Sequence, residues 1–284
     1  MRWSRWIIGA VLPLVVACSA VRLSYSQGPT LAYWWLDGYA DFNAEQSPGV
    51  KAALDDWFAW HRASQLPDYA QALAEMAALV ADRVTAPQVC GLIEAWQQRG
   101  ERAFEHAVPA IAEQLRTLSP EQIRQIERQY LRKHKDATAD YLQPDLRLRQ
   151  KANFERALDR AETLYGKLDE AQRRRFAADL VASPFSPEAW LNERSLRQAD
   201  VLRSLRQWQA ERSDAATLQA GLRRIGAEAL QSPRAPYRAY ASKLMGANCS
   251  LLAALHNGSS PAQRRHAVAK LMDWEDDLRA LLSR

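Results

Sequence analysis

Apolar residues recur along most of this chain at spacings of three and four, and the periodic runs are separated by short clusters of Pro, Gly, Ser, Asp and Asn. That is the pattern of amphipathic helices joined by tight turns. In residues 29–46, Leu31, Trp35, Tyr39 and Phe42 fall on one helix face, while Asp37, Asp41 and Glu45 line another. Ser47-Pro48-Gly49 predicts a break, after which Leu54, Trp57, Trp60 and His61 share a stripe in residues 50–64. Leu66-Pro67 then separates an Ala-rich helix over 68–83. Thr85-Ala86-Pro87-Gln88 reads as a capping box opening a longer helix that Pro109 should kink and that runs to Leu118. Ser119–Gln122, Asp169–Gln172 and Ser260–Gln263 repeat the box, and Ser186-Pro187-Glu188 is a partial version. Helix ends are predicted at Gln143-Pro144, Gly166, Ser183-Pro184, Ser213-Asp214, Ser232-Pro233 and Asn257-Gly258. About ten helices result, in a multi-helix bundle or irregular array. The unequal spacing of the boxes argues against a solenoid. No long Gly-, Ser- or Pro-rich linker divides residues 29–284, which read as one domain.

Composition sharpens this to an all-α protein. Val, Ile and Thr are scarce beyond the first residues, whereas Ala, Leu, Arg, Gln and Glu dominate. At 284 residues the chain is long enough to bury a core without help from metal.

The first residues have a different pattern. Arg2 and Arg5 precede an apolar run over 6–17, too short for a spanning helix of about 20 residues and built like an export signal. The run closes in Val15-Val16-Ala17-Cys18, which resembles the lipobox of bacterial lipoproteins. That resemblance implies a signal peptide over 1–17 and lipidation of Cys18. Ser19 in place of Asp further implies delivery to the outer membrane. A plain secreted protein and an uncleaved anchor are the alternatives. Residues 18–28 carry no clear helical stripe and read as a tether, at most about 35 Å long when extended. Loss of Arg2 and Arg5 lowers the net charge from +5 to +3, too small an excess to suggest a nucleic-acid partner.

Tyr33-Trp34-Trp35-Leu36-Asp37, with Tyr39 and Asp41, is followed by Trp57-Phe58-Ala59-Trp60-His61-Arg62 and Leu66-Pro67-Asp68-Tyr69. Together with the lipobox, these motifs resemble a family of bacterial lipoproteins known as a domain of unknown function. The resemblance covers roughly residues 14–75. It implies an envelope lipoprotein and supplies no activity.

Few sites of chemistry are legible. The histidines at 61, 106, 134, 256 and 266 are scattered, with no His-Glu-x-x-His pair, so neither a metal nor any other cofactor is expected. Gly-x-Ser-x-Gly and phosphate-binding glycine loops are missing. So is the Glu-Ser dipeptide that marks α-helical lytic transglycosylases. Asp37 and Asp41, four apart on a helix, could act with His61 as an acid/base set, but such stripes are more often solvated or paired with arginines, which are in excess over 116–175. Trp34, Trp35, Trp57 and Trp60 read either as core or as a glycan- or lipid-facing platform. Leu118-Ser119-Pro120-Glu121-Gln122 also resembles the signature of small helical periplasmic chaperones, although a capping box generates the same pattern.

Cys90 and Cys249 remain once Cys18 is lipidated. An even pair in an oxidising compartment argues for one bridge closing a 159-residue loop, with two buried thiols as the alternative. The expectation is therefore an outer-membrane-anchored periplasmic lipoprotein with a non-enzymatic binding or scaffolding role. Its partners would be the membrane, through the N-terminal lipid, and an envelope protein or glycan. A chaperone-like protein and an enzyme using Asp37, Asp41 and His61 are the competing classes.

Overall fold

A computed structural model describes residues 20–283; the signal peptide expected over 1–17, Cys18 and Ser19 lie outside the described residues. Twelve α-helices and no strand are found among them, confirming the all-α array. They are α1 (Ala20–Ser26), α2 (Gly28–Ala40), α3 (Gln46–Ser64), α4 (Leu66–Leu79), α5 (Ala86–Leu115), α6 (Pro120–Tyr141), α7 (Leu146–Tyr165), α8 (Glu170–Val181), α9 (Pro187–Glu211), α10 (Ala215–Leu230), α11 (Ala235–Asn257) and α12 (Pro261–Leu282).

All four full capping boxes form. Thr85, Ser119, Asp169 and Ser260 each accept a hydrogen bond from the backbone N–H three residues on, and the glutamine there reaches back to the cap. Helix starts meet in two places through glutamine amides, α8 with α12 and α6 with α3. Gln172 and Gln263 donate to each other's Oε1 at 2.8 and 2.9 Å. Each spare N–H closes on the partner's loop, at the Gly258 and Lys167 carbonyls respectively. Gln122 meets Gln46 in the same way, at 2.7 and 3.2 Å. Their remaining donors go to the Asp41 and Thr117 carbonyls. Gln46 carries a further box: the Asn43 side chain accepts from the Gln46 N–H, and Gln46 accepts from the Asn43 N–H. These joints fasten α3 to α6 and α8 to α12.

Several boundaries differ from the sequence reading. Residues 20–26 are helical rather than a tether, because Arg22 pairs with Asp277 of α12 at 3.0 Å and the Tyr25 hydroxyl meets His61 Nδ1 at 2.9 Å. The body therefore begins at α1, ahead of residue 29. Helix α2 stops at Ala40, where Asp41 takes a left-handed conformation (φ 51°) and donates its N–H to the Asp37 carbonyl. Glu45 is consequently not on the helix of Asp37. Ser47-Pro48-Gly49 is the first turn of α3, a place that tolerates proline because its missing N–H would be unpaired there. Leu66-Pro67 similarly opens α4, and Gln65 alone separates it from α3. Helix α5 passes through Pro109 and ends at Leu115, short of Leu118.

Cys90 of α5 and Cys249 of α11 are bonded, with Cα atoms 5.4 Å apart and Cys249 fully buried. Three apolar clusters fill the interior. The largest joins Val108 and Ala112 of α5, Ile123 and Ile126 of α6, Leu202, Leu205 and Trp208 of α9, and Leu218 and Leu222 of α10. A second unites Ala161 and Tyr165 of α7, Phe176 of α8 and Ala267 of α12. The third, Leu73 and Ala77 against Leu271, lies where the Ala-rich α4 runs along α12.

Candidate functional site

The largest cluster does not fill the space between its helices. Helices α2 and α3 form an antiparallel hairpin, with Tyr33 donating to Ser47 Oγ at 2.9 Å and Phe58 packed on Gly28 at the far end. Between this hairpin and α5, α6, α9 and α10 lies a cavity of about 610 Å3, within the range of about 300–1,000 Å3 usual for small-molecule sites. Its walls are aliphatic and aromatic: Trp35 and Tyr39 from α2, Leu54, Trp57 and Phe58 from α3, Ile111 from α5, Tyr130 from α6, Trp208 from α9 and Ile225 from α10. Gln114, two tyrosines and three tryptophans are the only lining residues with a polar side-chain atom, and no charged residue is among them. Two rings are seated by glycine. A Cβ on Gly28 would lie 2.4 Å from Phe58, and one on Gly221 would lie 2.2 Å from Trp208, so no larger residue fits at either place without displacing the ring.

The indole N–H of Trp57, in the cavity wall, is satisfied by the Ala103 carbonyl at 3.1 Å. Burial holds the Tyr130 hydroxyl above its ordinary pKa, reinforced by the neighbouring Tyr39. Beside the cavity runs an aromatic ladder: Trp60 stacks on His106 (3.6 Å between centroids), Trp57 on His61 (4.7 Å), and His61 meets Tyr69, which meets Trp96. His61 is only 8 % exposed, and desolvation holds its imidazole below the ordinary histidine value. Burial has the opposite effect on its partner Tyr25, raising that hydroxyl against the lowering influence of Arg62.

The sequence candidates are divided by this geometry. Trp57 and Trp60 are half-buried, Trp57 in the cavity wall and Trp60 in the ladder. Trp34 and Trp35 are 65 % and 64 % exposed, so they are not core. Asp37 forms no ion pair with an arginine among the described residues: its Oδ1 accepts from the Phe42 N–H at 2.9 Å and closes the C-terminus of α2. Asp41 contributes its backbone to the glutamine joint at the start of α3. His61 lies in the last turn of α3, about 22 Å along the axis from Gln46, so Asp41 and His61 stand at opposite ends of the hairpin and do not form an acid/base set. Leu118–Gln122, the segment that resembles a chaperone signature, forms a capping box whose glutamine makes a joint. Among the described residues no three His, Cys, Asp or Glu side chains gather as metal ligands, and no helix is long and apolar enough to cross a membrane.

Sequence reasoning missed Phe58, Ile111, Tyr130, Trp208 and Ile225 as site residues. Their periodic apolar positions mark them as inward-facing, but a residue lining a void and one filling a core have the same signature. The Asn43-to-Gln46 box was legible as Asn-x-x-Gln.

Fold and cavity together define an all-α protein with an apolar interior site. The chain belongs to a family of unknown function (DUF6279), whose model matches residues 38–223, from the end of α2 into α10. Comparison with curated proteins and with solved structures gives no match. The matched span holds most of the cavity wall and Cys90, and leaves out Cys249, α11 and α12.

Proposed function

We propose that this protein is a non-enzymatic envelope lipoprotein, anchored through Cys18 at the periplasmic face of the outer membrane, that binds an apolar molecule between α2, α3, α5, α6, α9 and α10. The cavity carries the reading: its wall offers contact area and almost no hydrogen-bonding or charged groups, which suits a hydrocarbon and not a polar substrate. The helices next to the leader support the anchor. Helix α1 starts two residues after Cys18, and no charged residue lies between Arg22 and Asp37. Leu23, Leu31, Trp34 and Trp35 are exposed in this stretch, the kind of face that favours a membrane–water interface. Trp35 belongs both to that face and to the cavity wall. The Cys90–Cys249 bridge fits an oxidising compartment.

Two measurements test this. Metabolic labelling with radioactive palmitate should mark the wild type and not Cys18→Ala; an unlabelled wild type refutes the anchor. N-phenyl-1-naphthylamine should brighten on mixing with the full chain, and Ala110→Trp, which fills the cavity from α5, should abolish the signal. Equal brightening by the filled variant refutes the site.

A further inference from the structure

The cavity shares one wall with a second cleft of different character. Tyr130 and Val201 line both, and behind them the smaller space, about 200 Å3, is bounded by Trp190, Arg194, Arg197 and Gln198 of α9 and Tyr237 of α11. The one carboxylate there, Glu193, is 2 % exposed and already heavily engaged. Its Oε1 accepts from Arg197 Nε at 3.0 Å, from Arg234 at 3.1 Å and from Ser232 Oγ at 2.7 Å. Arg197 keeps its terminal N–H groups beyond that contact and lies over the Tyr237 ring. Arg194 stands over Trp190 and donates one N–H to the Lys133 carbonyl, with no carboxylate partner among the described ion pairs. An apolar chamber and a cationic, aromatic-walled cleft thus abut across two side chains.

We propose that the ligand is an anionic amphiphile, with its hydrocarbon chain in the apolar cavity and its acidic head group at Arg194 and Arg197 across the Tyr130–Val201 wall. This rests on the cavity reading above and adds the head-group chemistry to it. A carboxylate or phosphate could not enter the apolar chamber without losing its hydration, whereas guanidinium forks replace that hydration with charge-assisted hydrogen bonds. A cationic head would meet like charge, and a neutral one would gain little from the arginines.

The test displaces N-phenyl-1-naphthylamine from the full, disulfide-intact chain with single-chain competitors below their micellar concentrations: palmitate, lysophosphatidate, cetyl alcohol and cetyltrimethylammonium. At least one of the two acids should displace the dye about tenfold more effectively than the alcohol or the ammonium. Whichever acid wins identifies the head as carboxylate or phosphate. Arg194→Gln, which breaks no ion pair, should abolish most of this preference, and Arg197→Gln should do the same. Arg203→Gln, which removes an exposed charge outside the cleft, should keep it. Equal displacement by acids and alcohol, or a preference that survives both Arg194→Gln and Arg197→Gln, overturns the head-group assignment and leaves the cavity reading standing. No dye binding by the wild type refutes the cavity reading itself.

Discussion

The two glutamine joints use the same chemistry and hold together two very different interiors. At Gln172–Gln263 the joined helices close over Tyr165, Leu168, Phe176 and Ala267. There Tyr165 meets His256 Nδ1 at 3.0 Å, while His256 Nε2 donates to the Asp82 carbonyl at 2.7 Å. That hydroxyl is so well buried that its pKa is pushed up to about 12. At Gln46–Gln122 the joined helices instead both line the cavity. A capping box fixes where two helices start and how their first turns meet. It does not determine what stands between them several turns further on, and that depends on the side chains each helix supplies and on which third helix covers the gap.

Breaking the covalent link between the two interiors should have the largest effect. The Cys90→Ala, Cys249→Ala double variant frees a 159-residue loop in the unfolded chain, and we expect a loss of up to about 5 kcal/mol in chemical denaturation. A loss under about 1 kcal/mol would mean that packing alone holds α5 to α11.

Enlarging one alanine in each interior then tests the contrast directly. Ala267→Phe places a ring in a filled core and should cost roughly 1–3 kcal/mol or more, whereas Ala110→Phe points into the cavity and should be neutral within about 1 kcal/mol. Equal melting shifts would show that the cavity closes in solution.

The joints themselves should differ by burial. Gln122→Ala removes a buried amide and strands Gln46, the Ser119 N–H and the Asp41 carbonyl, for about 2–3 kcal/mol. Gln172→Ala opens a half-buried joint that water can enter, for about 1 kcal/mol. The opposite ranking in thermal melts would contradict the picture.

The smallest effect is a pH dependence. Because burial lowers the His61 pKa in the folded state, the unfolded chain takes up the proton first on acidification. The stability contributed by its neutral form is complete above about pH 6.5 and is lost as pH falls through the lowered value, at no more than about 1.4 kcal/mol for each pH unit. The melting temperature should therefore drop between pH 7 and pH 5 more steeply in the wild type than in His61→Gln, and parallel curves would argue against a buried, neutral His61.

Local sequence was enough to establish the helical class, the four full capping boxes and, to within about two residues, the helix ends expected at Gly166, Ser213, Ser232 and Asn257, because each rests on interactions within about four residues. It also supplied the two cysteines, and compartment chemistry suggested that they pair. Packing between distant segments was needed to make residues 20–26 a helix, since their stripe is unconvincing until Asp277 and His61 arrive from elsewhere in the chain. The exposure of Trp34 and Trp35, the separation of Asp41 from His61 and the reuse of Gln46, Gln122, Gln172 and Gln263 as joints were settled in the same way. The cavity was least legible of all. A void is the failure of six helices to converge, and no local pattern of apolar residues distinguishes a wall that faces a neighbour from one that faces empty space.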